Sequence, residues 1–163
     1  MSSFEDGLVP LSRSDLRKMT RASDGKNRIG ITLGFDSFAM GLENLTAVIG
    51  LEPNVARLAG ETYLTAHGLE KASKSSVWEV ETKYSTNDYL GDVFKEYMQQ
   101  VVAPRAERVR KIALQSQCYL TVVQYYYQSN NPGFHLDKDD IDLLSSIHAE
   151  IDCDLYCLYS EQE

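Results

Sequence analysis

The sequence has no long apolar run and contains little cysteine, histidine or tryptophan. Its 163 residues include three cysteines, three histidines and one tryptophan. The longest apolar runs fall far short of the ~20 residues that a membrane-spanning helix needs, so we predict no membrane segment. The first ten residues have neither a basic leader nor the apolar stretch of a signal peptide, and we therefore expect a cytoplasmic protein.

The cysteines do not form the pattern of a disulfide framework or of a metal site. Cys153 and Cys157 lie four residues apart on one predicted strand, about 13 Å at the rise of a strand, which is too far for a disulfide bond. The sequence has no CxxC pair and its histidines are scattered, so the spacing of a zinc site is missing. We interpret these two residues and Cys118 as small buried apolar side chains, and we predict no cofactor and no metal.

No recognisable catalytic motif occurs in the chain. The sequence has neither a Ser-His-Asp order nor a phosphate-binding loop. Asp137, Asp139, Asp140 and Asp142 crowd the start of one predicted helix, where they face a cap and solvent instead of converging in a cleft. A metal site formed by Asp139 and His135 is the alternative. Because all three cysteines are predicted to be buried, none has the exposure that a thiol nucleophile needs, and we predict that the protein is not an enzyme.

The excess of negative charge is confined to the last part of the chain. The net charge is −8 at pH 7. Residues 137–163 hold nine acidic residues and one basic residue, whereas the rest of the chain holds fifteen of each. Such a negative field repels nucleic acid and attracts basic proteins. We therefore predict no nucleic-acid ligand and, unless the charge serves solubility alone, a basic protein partner.

The hydrophobic pattern alternates between the period of a strand and the period of a helix. Residues 1–27 are predicted to form a tail or strap and 28–163 a single domain. Residues 54–75 are predicted to be its least regular segment, with a strand or loop at 55–59. Asn87 or Thr86 is expected to cap the long central helix, and Asp137 the last helix. The predicted elements are a strand at 28–35, a helix at 42–49, a strand at 76–83, a helix at 87–103 that continues at 105–114 beyond a break at Pro104, a strand at 117–128, a turn at 130–133, a helix after 137 and a strand at 151–160.

This order predicts an α+β fold, with a mostly antiparallel sheet and helices packed on one of its faces. A ferredoxin-like relative is the natural candidate, because βαβ crossovers occur twice. The helices are expected to cover the apolar side chains of one sheet face, namely Ile31, Leu33, Trp78, Val80, Leu120, Val122, Cys153 and Leu155.

The opposite face of the sheet is expected to carry acids and tyrosines. In the last strand, Asp152, Asp154 and Tyr156 alternate with the apolar residues. Since an unpaired carboxylate is costly to bury, this face should meet water or a partner, and tyrosine is enriched at contact hot spots. We predict a partner-binding surface formed by Glu79, Glu81, Tyr119, Tyr125, Tyr127, Asp152, Asp154 and Tyr156.

Other arrangements would occupy the same face without an external partner. The basic end of the N-terminal tail, or the basic helix at 105–111, would complement its charge. Two copies of the chain would form a homodimer by pairing through it. A small ligand between the sheet and the helices is a further alternative.

Several short motifs occur in a recognisable order. The chain has a strand at 28–35, the turn Ile49-Gly50-Leu51-Glu52-Pro53, a glycine before a loop at Gly60, a strand that opens with Trp78-Glu79-Val80, and the segment Asp152 to Tyr156. In this order they resemble a bacterial family called domain of unknown function 4279, over roughly residues 28–159 of this chain. The long N-terminal tail and the additional kinked helix depart from the family pattern.

The resemblance implies a small cytoplasmic α+β protein and provides no catalytic residues. Some members of the family resemble immunity proteins that accompany bacterial toxins. We therefore expect a non-enzymatic protein-binding module, an immunity protein that neutralises a toxin through an acidic, tyrosine-rich surface. The alternatives are a structural or regulatory homodimer and a small-ligand binding protein.

Overall fold

The computed structural model describes residues 26–65, 67–127 and 133–158. Its helices and strands follow the predicted order, with three short strands in addition. The strands are β1 (Asn27–Asp36), β2 (Val55–Arg57), β3 (Thr62–Leu64), β4 (Glu70–Ala72), β5 (Val77–Thr86), β6 (Gln117–Tyr127) and β7 (Ala149–Leu158). The helices are α1 (Leu42–Ile49), α2 (Leu90–Tyr97), α3 (Ala106–Ala113) and α4 (Lys138–Ser146).

Five strands form one mixed sheet in the order β2-β5-β1-β6-β7, and β3 pairs with β4 in a separate hairpin. Strand β1 is antiparallel to both β5 and β6, so these two are parallel to each other and the segment with α2 and α3 crosses over β1. A second crossover, through α4, joins β6 to the parallel strand β7. The predicted α+β class and its two βαβ crossovers are confirmed, while the ferredoxin-like relation stays a prediction.

The helices pack on one face of the sheet and bury a single apolar core. Trp78 is fully buried there, and its indole N–H donates a hydrogen bond of 2.9 Å to the hydroxyl of Thr46 on α1. From the helices, Leu45, Phe94, Tyr97, Val109, Ile112, Leu144 and Ile147 complete this core. The buried strand residues of this face include Ile29, Ile31, Leu33, Phe35, Trp78, Val80, Cys118, Leu120 and Val122.

The prediction that helices cover eight apolar residues of one sheet face is wrong in part for strand β7. Leu155 is 41% exposed, and Cys153 is half-buried at the margin of the core. The nine-residue helix α4 is about 14 Å long, whereas the ten-residue strand β7 extends over about 33 Å. The preceding helix is therefore too short to cover both halves of the strand, and the second half is left open.

The ends of two helices test the bounds and capping residues that were predicted from the sequence. Helix α1 has the predicted bounds, because Gly50 adopts a left-handed φ of 72° and its N–H closes the last turn on Thr46. The predicted cap of the central helix is wrong, since its N-cap residue is Tyr89. Asn87 instead accepts a hydrogen bond from the backbone N–H of Asn27, at 3.2 Å. This bond connects the segment before α2 to the start of β1.

The predicted break at Pro104 is confirmed as a change of helix type. After α2, the chain makes a π-helical turn at Met98–Val102 and a 3-10 turn at Ala103–Arg105 before α3 begins. Both turns keep the chain helical across the proline, which lacks the N–H of a regular α-helix.

Residues 54–75, predicted to be irregular, contain β2 and the β3–β4 hairpin. Strands of three residues are too short to show a period-two pattern. The N-terminal tail before residue 26 and most of the turn at 130–133 lie outside the described residues.

The predicted cap of α4 is confirmed by a reciprocal pair of hydrogen bonds. The Asp137 carboxylate accepts from the N–H of Asp140 at 3.0 Å, and the Asp140 carboxylate accepts from the N–H of Asp137 at 3.2 Å. Lys95 of α2 forms an ion pair with Asp137. The hydrogen bond from Lys95 and those from the backbone lower the pKa of Asp137 from 3.8 to about 2. The cap therefore joins two helices as well as starting one.

Replacing Asp137 with asparagine should flatten the acid dependence of stability. Asparagine still caps a helix but carries no charge. Because the folded-state pKa of Asp137 lies below its unfolded value, its stabilisation is complete above about pH 4 and is lost as the pH falls toward 2. Urea unfolding between pH 6 and pH 2 should give a shallower loss of free energy for Asp137→Asn than for the wild type. Identical slopes would contradict the assigned ion pair.

Candidate functional site

The outer face is the side of the five-stranded sheet that is turned away from the helices. The strand register places all eight predicted site residues on it. Their neighbours on the central strand β1 are Gly30, Thr32 and Gly34, and the lack of side chains on the two glycines leaves the middle of the surface low. The eight residues are Glu79 and Glu81 on β5, Tyr119, Tyr125 and Tyr127 on β6, and Asp152, Asp154 and Tyr156 on β7.

The basic helix does not cover the outer face. Helix α3 buries Val109 and Ile112 in the core, so it lies on the other side of the sheet. The guanidinium of Arg108 donates to the carbonyl of Val48 on α1, 3.3 Å away, which keeps it in the helix layer. The alternative in which this helix neutralises the acidic face is therefore wrong. The N-terminal tail, which was the other internal candidate, lies mostly outside the described residues.

Tyr119 lies across Gly34 to reach Glu79. Its hydroxyl donates a hydrogen bond of 2.7 Å to the Glu79 carboxylate. A Cβ atom added to Gly34 would lie 2.2 Å from the Tyr119 ring, so this arrangement requires glycine at position 34. Burial and the Glu79 carboxylate raise the pKa of Tyr119 above its usual value. The hydroxyl therefore stays protonated and keeps Glu79 in place at neutral pH.

Tyr125 and Tyr156 form an aromatic platform near the other end of the face. Their rings stack with centroids 5.1 Å apart and an interplanar angle of 18°. The two residues are direct neighbours in the parallel register of β6 and β7. Partial burial and the nearby carboxylate of Asp154 raise the pKa of Tyr156. The pair offers a flat, neutral surface of the kind that packs against apolar or cationic groups.

A groove of about 500 Å³ lies over Gly30, between this platform and strand β5. Glu81 and Lys83 form one wall, and their charged groups pair at 3.0 Å. A Cβ atom on residue 30 would lie 2.9 Å from the Glu81 carboxylate, so the absence of a side chain there opens the groove. Strand β1 therefore allows a close approach at its glycines, and the approaching groups are side chains of the neighbouring strands.

Asp152 and Asp154 are two acids of this face with no described partner, and Glu150, which precedes them on the same side of β7, is a third. Asp152 is exposed and Asp154 is half-buried. In the part of the chain that the structure describes, neither carboxylate forms a hydrogen bond or an ion pair. They share one strand face two residues apart, which places them about 7 Å apart along β7. Two unneutralised charges at this distance repel each other and attract a cation.

The cysteines and histidines do not form a chemical site in the described residues. Burial raises the pKa of Cys118 to about 12, so its thiol is unreactive. Cys153 and Cys157 are half-buried, not buried as predicted, and burial together with Asp154 and Asp152 raises the pKa of Cys153. Within residues 26–65, 67–127 and 133–158, no group of three or more His, Cys, Asp or Glu side chains is placed to hold a metal ion. No helix there is long and apolar enough to cross a membrane.

Sequence reasoning identified the residues of the outer face but missed how they contact one another. The period-two pattern assigns each residue to a face, whereas the Tyr119–Glu79 bond and the Tyr125–Tyr156 stack depend on strand order and register. The pattern also gave no sign of a second cluster, in which Arg57 stacks on Tyr63 with its guanidinium carbon 4.1 Å from the ring centroid. Arg57 lies in a stretch that the sequence left open as strand or loop, and Tyr63 lies in a three-residue strand that was not recognised.

Comparison with known proteins identifies the family of this fold. No curated protein and no solved structure matched the chain. A family model described as Domain of unknown function (DUF4279) matches residues 27–158, from the first residue of β1 to the last residue of β7. The match spans the whole sheet, its crossover helices and every residue of the outer face named above. The chain therefore belongs to the DUF4279 family.

Proposed function

We propose that this protein is a non-enzymatic protein-binding module that recognises a basic partner through its outer face. We further propose that it acts in the bacterial cytoplasm as an immunity protein, which neutralises a toxin by stoichiometric binding. The observation that carries the proposal is the position of Asp152 and Asp154, two carboxylates without a described partner, beside the stacked rings of Tyr125 and Tyr156.

Charge gives the first support for a basic partner. Neighbouring carboxylates of like charge destabilise a folded surface, and a lysine or arginine from a partner removes that repulsion. On the outer face, the Glu81 carboxylate already pairs with Lys83 and Glu79 accepts from Tyr119, so these two acids are held in place. Asp152 and Asp154 remain for an incoming cation.

Shape gives the second support. The groove over Gly30 ends at the Tyr125 ring, and its lining includes Arg28 and Lys83 as well as Glu81. A guanidinium stacked on the Tyr125–Tyr156 platform at this end would lie near the Asp154 carboxylate, an arrangement that combines cation–π and ionic attraction. Tyrosine anchors next to a low, polar surface are typical of protein interfaces.

Kinetics favours a toxin inhibitor among the classes of protein that bind basic partners. An inhibitor that protects its own cell must associate with the toxin before the toxin acts. A concentrated negative field raises the rate of association with a basic protein well above that of a neutral pair. The same field would repel nucleic acid, which agrees with a partner that is itself a protein.

Two alternatives receive less support from the described residues. A homodimer joined through the outer faces would bring Asp152 and Asp154 of two copies together, and like charges across an interface oppose association. A ligand between sheet and helices would have to displace fully buried side chains such as Trp78, Phe94 and Tyr97.

Reversing the two carboxylates should abolish recognition of a basic toxin. The Asp152→Lys/Asp154→Lys variant is titrated by calorimetry against the purified product of the gene that directly precedes its own. We expect the affinity to fall on the order of a hundredfold, because two attractive charge contacts become repulsive. Affinity equal to that of the wild type would overturn the proposed surface.

The matched control places the same charge change in the helix layer. Glu52 and Glu107 are exposed residues outside the outer face, and the Glu52→Lys/Glu107→Lys variant has the same net charge as the test variant. It should keep the affinity within about threefold of the wild type, since long-range charge is screened over ~8 Å at physiological salt. An equal loss in both variants would show that net charge matters and that the outer face does not.

Sedimentation of the purified full-length chain separates recognition of a different protein from self-pairing. We expect a monomer at all concentrations from micromolar to hundreds of micromolar, because facing carboxylates repel each other. A mass that doubles with concentration, and that doubles at lower concentration in the Asp152→Lys variant because the repulsion is relieved, would support a homodimer joined by this face instead.

A further inference from the structure

A second groove, of about 490 Å³, lies at the β2 edge of the sheet, opposite the edge formed by β7. It is formed by β2, the β3–β4 hairpin and the chain that leads into β5. Arg57, Lys71 and Lys74 are among its lining residues, and no acidic residue lines it. A groove lined by cations and by no carboxylate is unexpected in a protein whose net charge is −8.

Arg57 is held in this groove without an anionic partner. Its backbone pairs with Val77 of β5, and its guanidinium stacks 4.1 Å from the centroid of the Tyr63 ring. Its Nε atom is buried and makes no hydrogen bond. Among the described residues, Arg57 forms no ion pair. The stack holds the guanidinium at the groove, and its planar fork matches two oxygens of an oxyanion at once.

Lys71 lies next to this guanidinium through the hairpin register. It is the direct cross-strand partner of Tyr63, the residue on whose ring Arg57 stacks, and both cations line the groove. Lys71 also forms no ion pair within the described part of the chain. Two acids near the groove are already engaged: the Glu61 carboxylate accepts from the backbone N–H of Leu58 at 2.9 Å, and the Asp36 carboxylate accepts from the Ser75 hydroxyl at 2.9 Å. The two cations repel each other until an anion lies between them.

We propose that this groove binds the phosphate group of a small molecule, with Arg57 and Lys71 as its ligands. A phosphate ester carries between about 1.5 and 2 negative charges at neutral pH, which suits several cations better than a single carboxylate does. The volume is within the range of small-molecule sites, and the Tyr63 ring and Val77 supply an apolar wall for the rest of the ligand. The lining residues of this groove are not among the residues of the proposed protein-binding surface, and the proposal does not depend on that surface.

The test is a titration of the ¹⁵N-labelled full-length protein with inorganic phosphate and, separately, with glycerol 3-phosphate, at constant ionic strength set by sodium chloride. Saturable amide shifts should be confined to residues around Arg57, Tyr63 and 71–77. Equal affinity for the two probes identifies the free anion as the ligand, and tighter binding of the ester identifies a phosphorylated metabolite.

Arg57→Gln should weaken binding of either probe by about tenfold or more, because a charge-assisted hydrogen bond is lost. Lys71→Gln removes the second cation and leaves the Arg57–Tyr63 stack in place, so it decides the test if Arg57→Gln disturbs the hairpin. Arg110→Gln, which removes an exposed charge from α3, is the control and should bind like the wild type. Shifts that do not saturate, or equal binding by Lys71→Gln and the control, would overturn the proposal.

Discussion

The strict alternation of the four long strands is the constraint on which both faces of this protein depend. A slip of one residue in any of them would exchange its faces, which would expose side chains such as Trp78 and move Asp152 and Asp154 beneath the helices. Exposing a large apolar side chain costs about 1.5–3 kcal/mol, and burying an unpaired carboxylate costs more. Both free-energy penalties oppose the same slip, so the register that buries the core also keeps the acids on the outer face.

The outer face that results carries opposite charges at its two edges. Asp152 and Asp154 lie on β7 at one edge, while Arg57 extends from β2 at the other. Between them, Gly30 and Gly34 keep the surface low and allow Glu81 and Tyr119 to lie across the central strand. The two proposed ligands, a basic protein and a phosphate, follow from this separation of charge. An acidic field over the whole face would have left no place for an anion.

Much of this arrangement could be predicted because it depends on patterns within short stretches of sequence. Alternation assigned Glu79, Tyr119 and Asp152 to one face, and Gly50 fixed the end of α1 through its left-handed backbone. What could not be predicted depends on residues distant in sequence. Asn87 looked like a helix cap but is used by Asn27, sixty residues away, and Leu155 is exposed because its crossover helix is short. The groove at Arg57 is formed by three-residue strands, which are too short to show the alternation of apolar and polar residues.

The central claim is that the acids and tyrosines of β6 and β7 face solvent in the whole chain, N-terminal tail included. Paramagnetic relaxation by a soluble gadolinium chelate measures this directly on the side chains of the full-length protein. The ring protons of Tyr125 and Tyr156 should relax strongly, while those of Trp78 and Phe94 should be protected by the helices. Rings of Tyr125 and Tyr156 as protected as that of Trp78 would contradict the account, because the face would then be sealed by the protein itself.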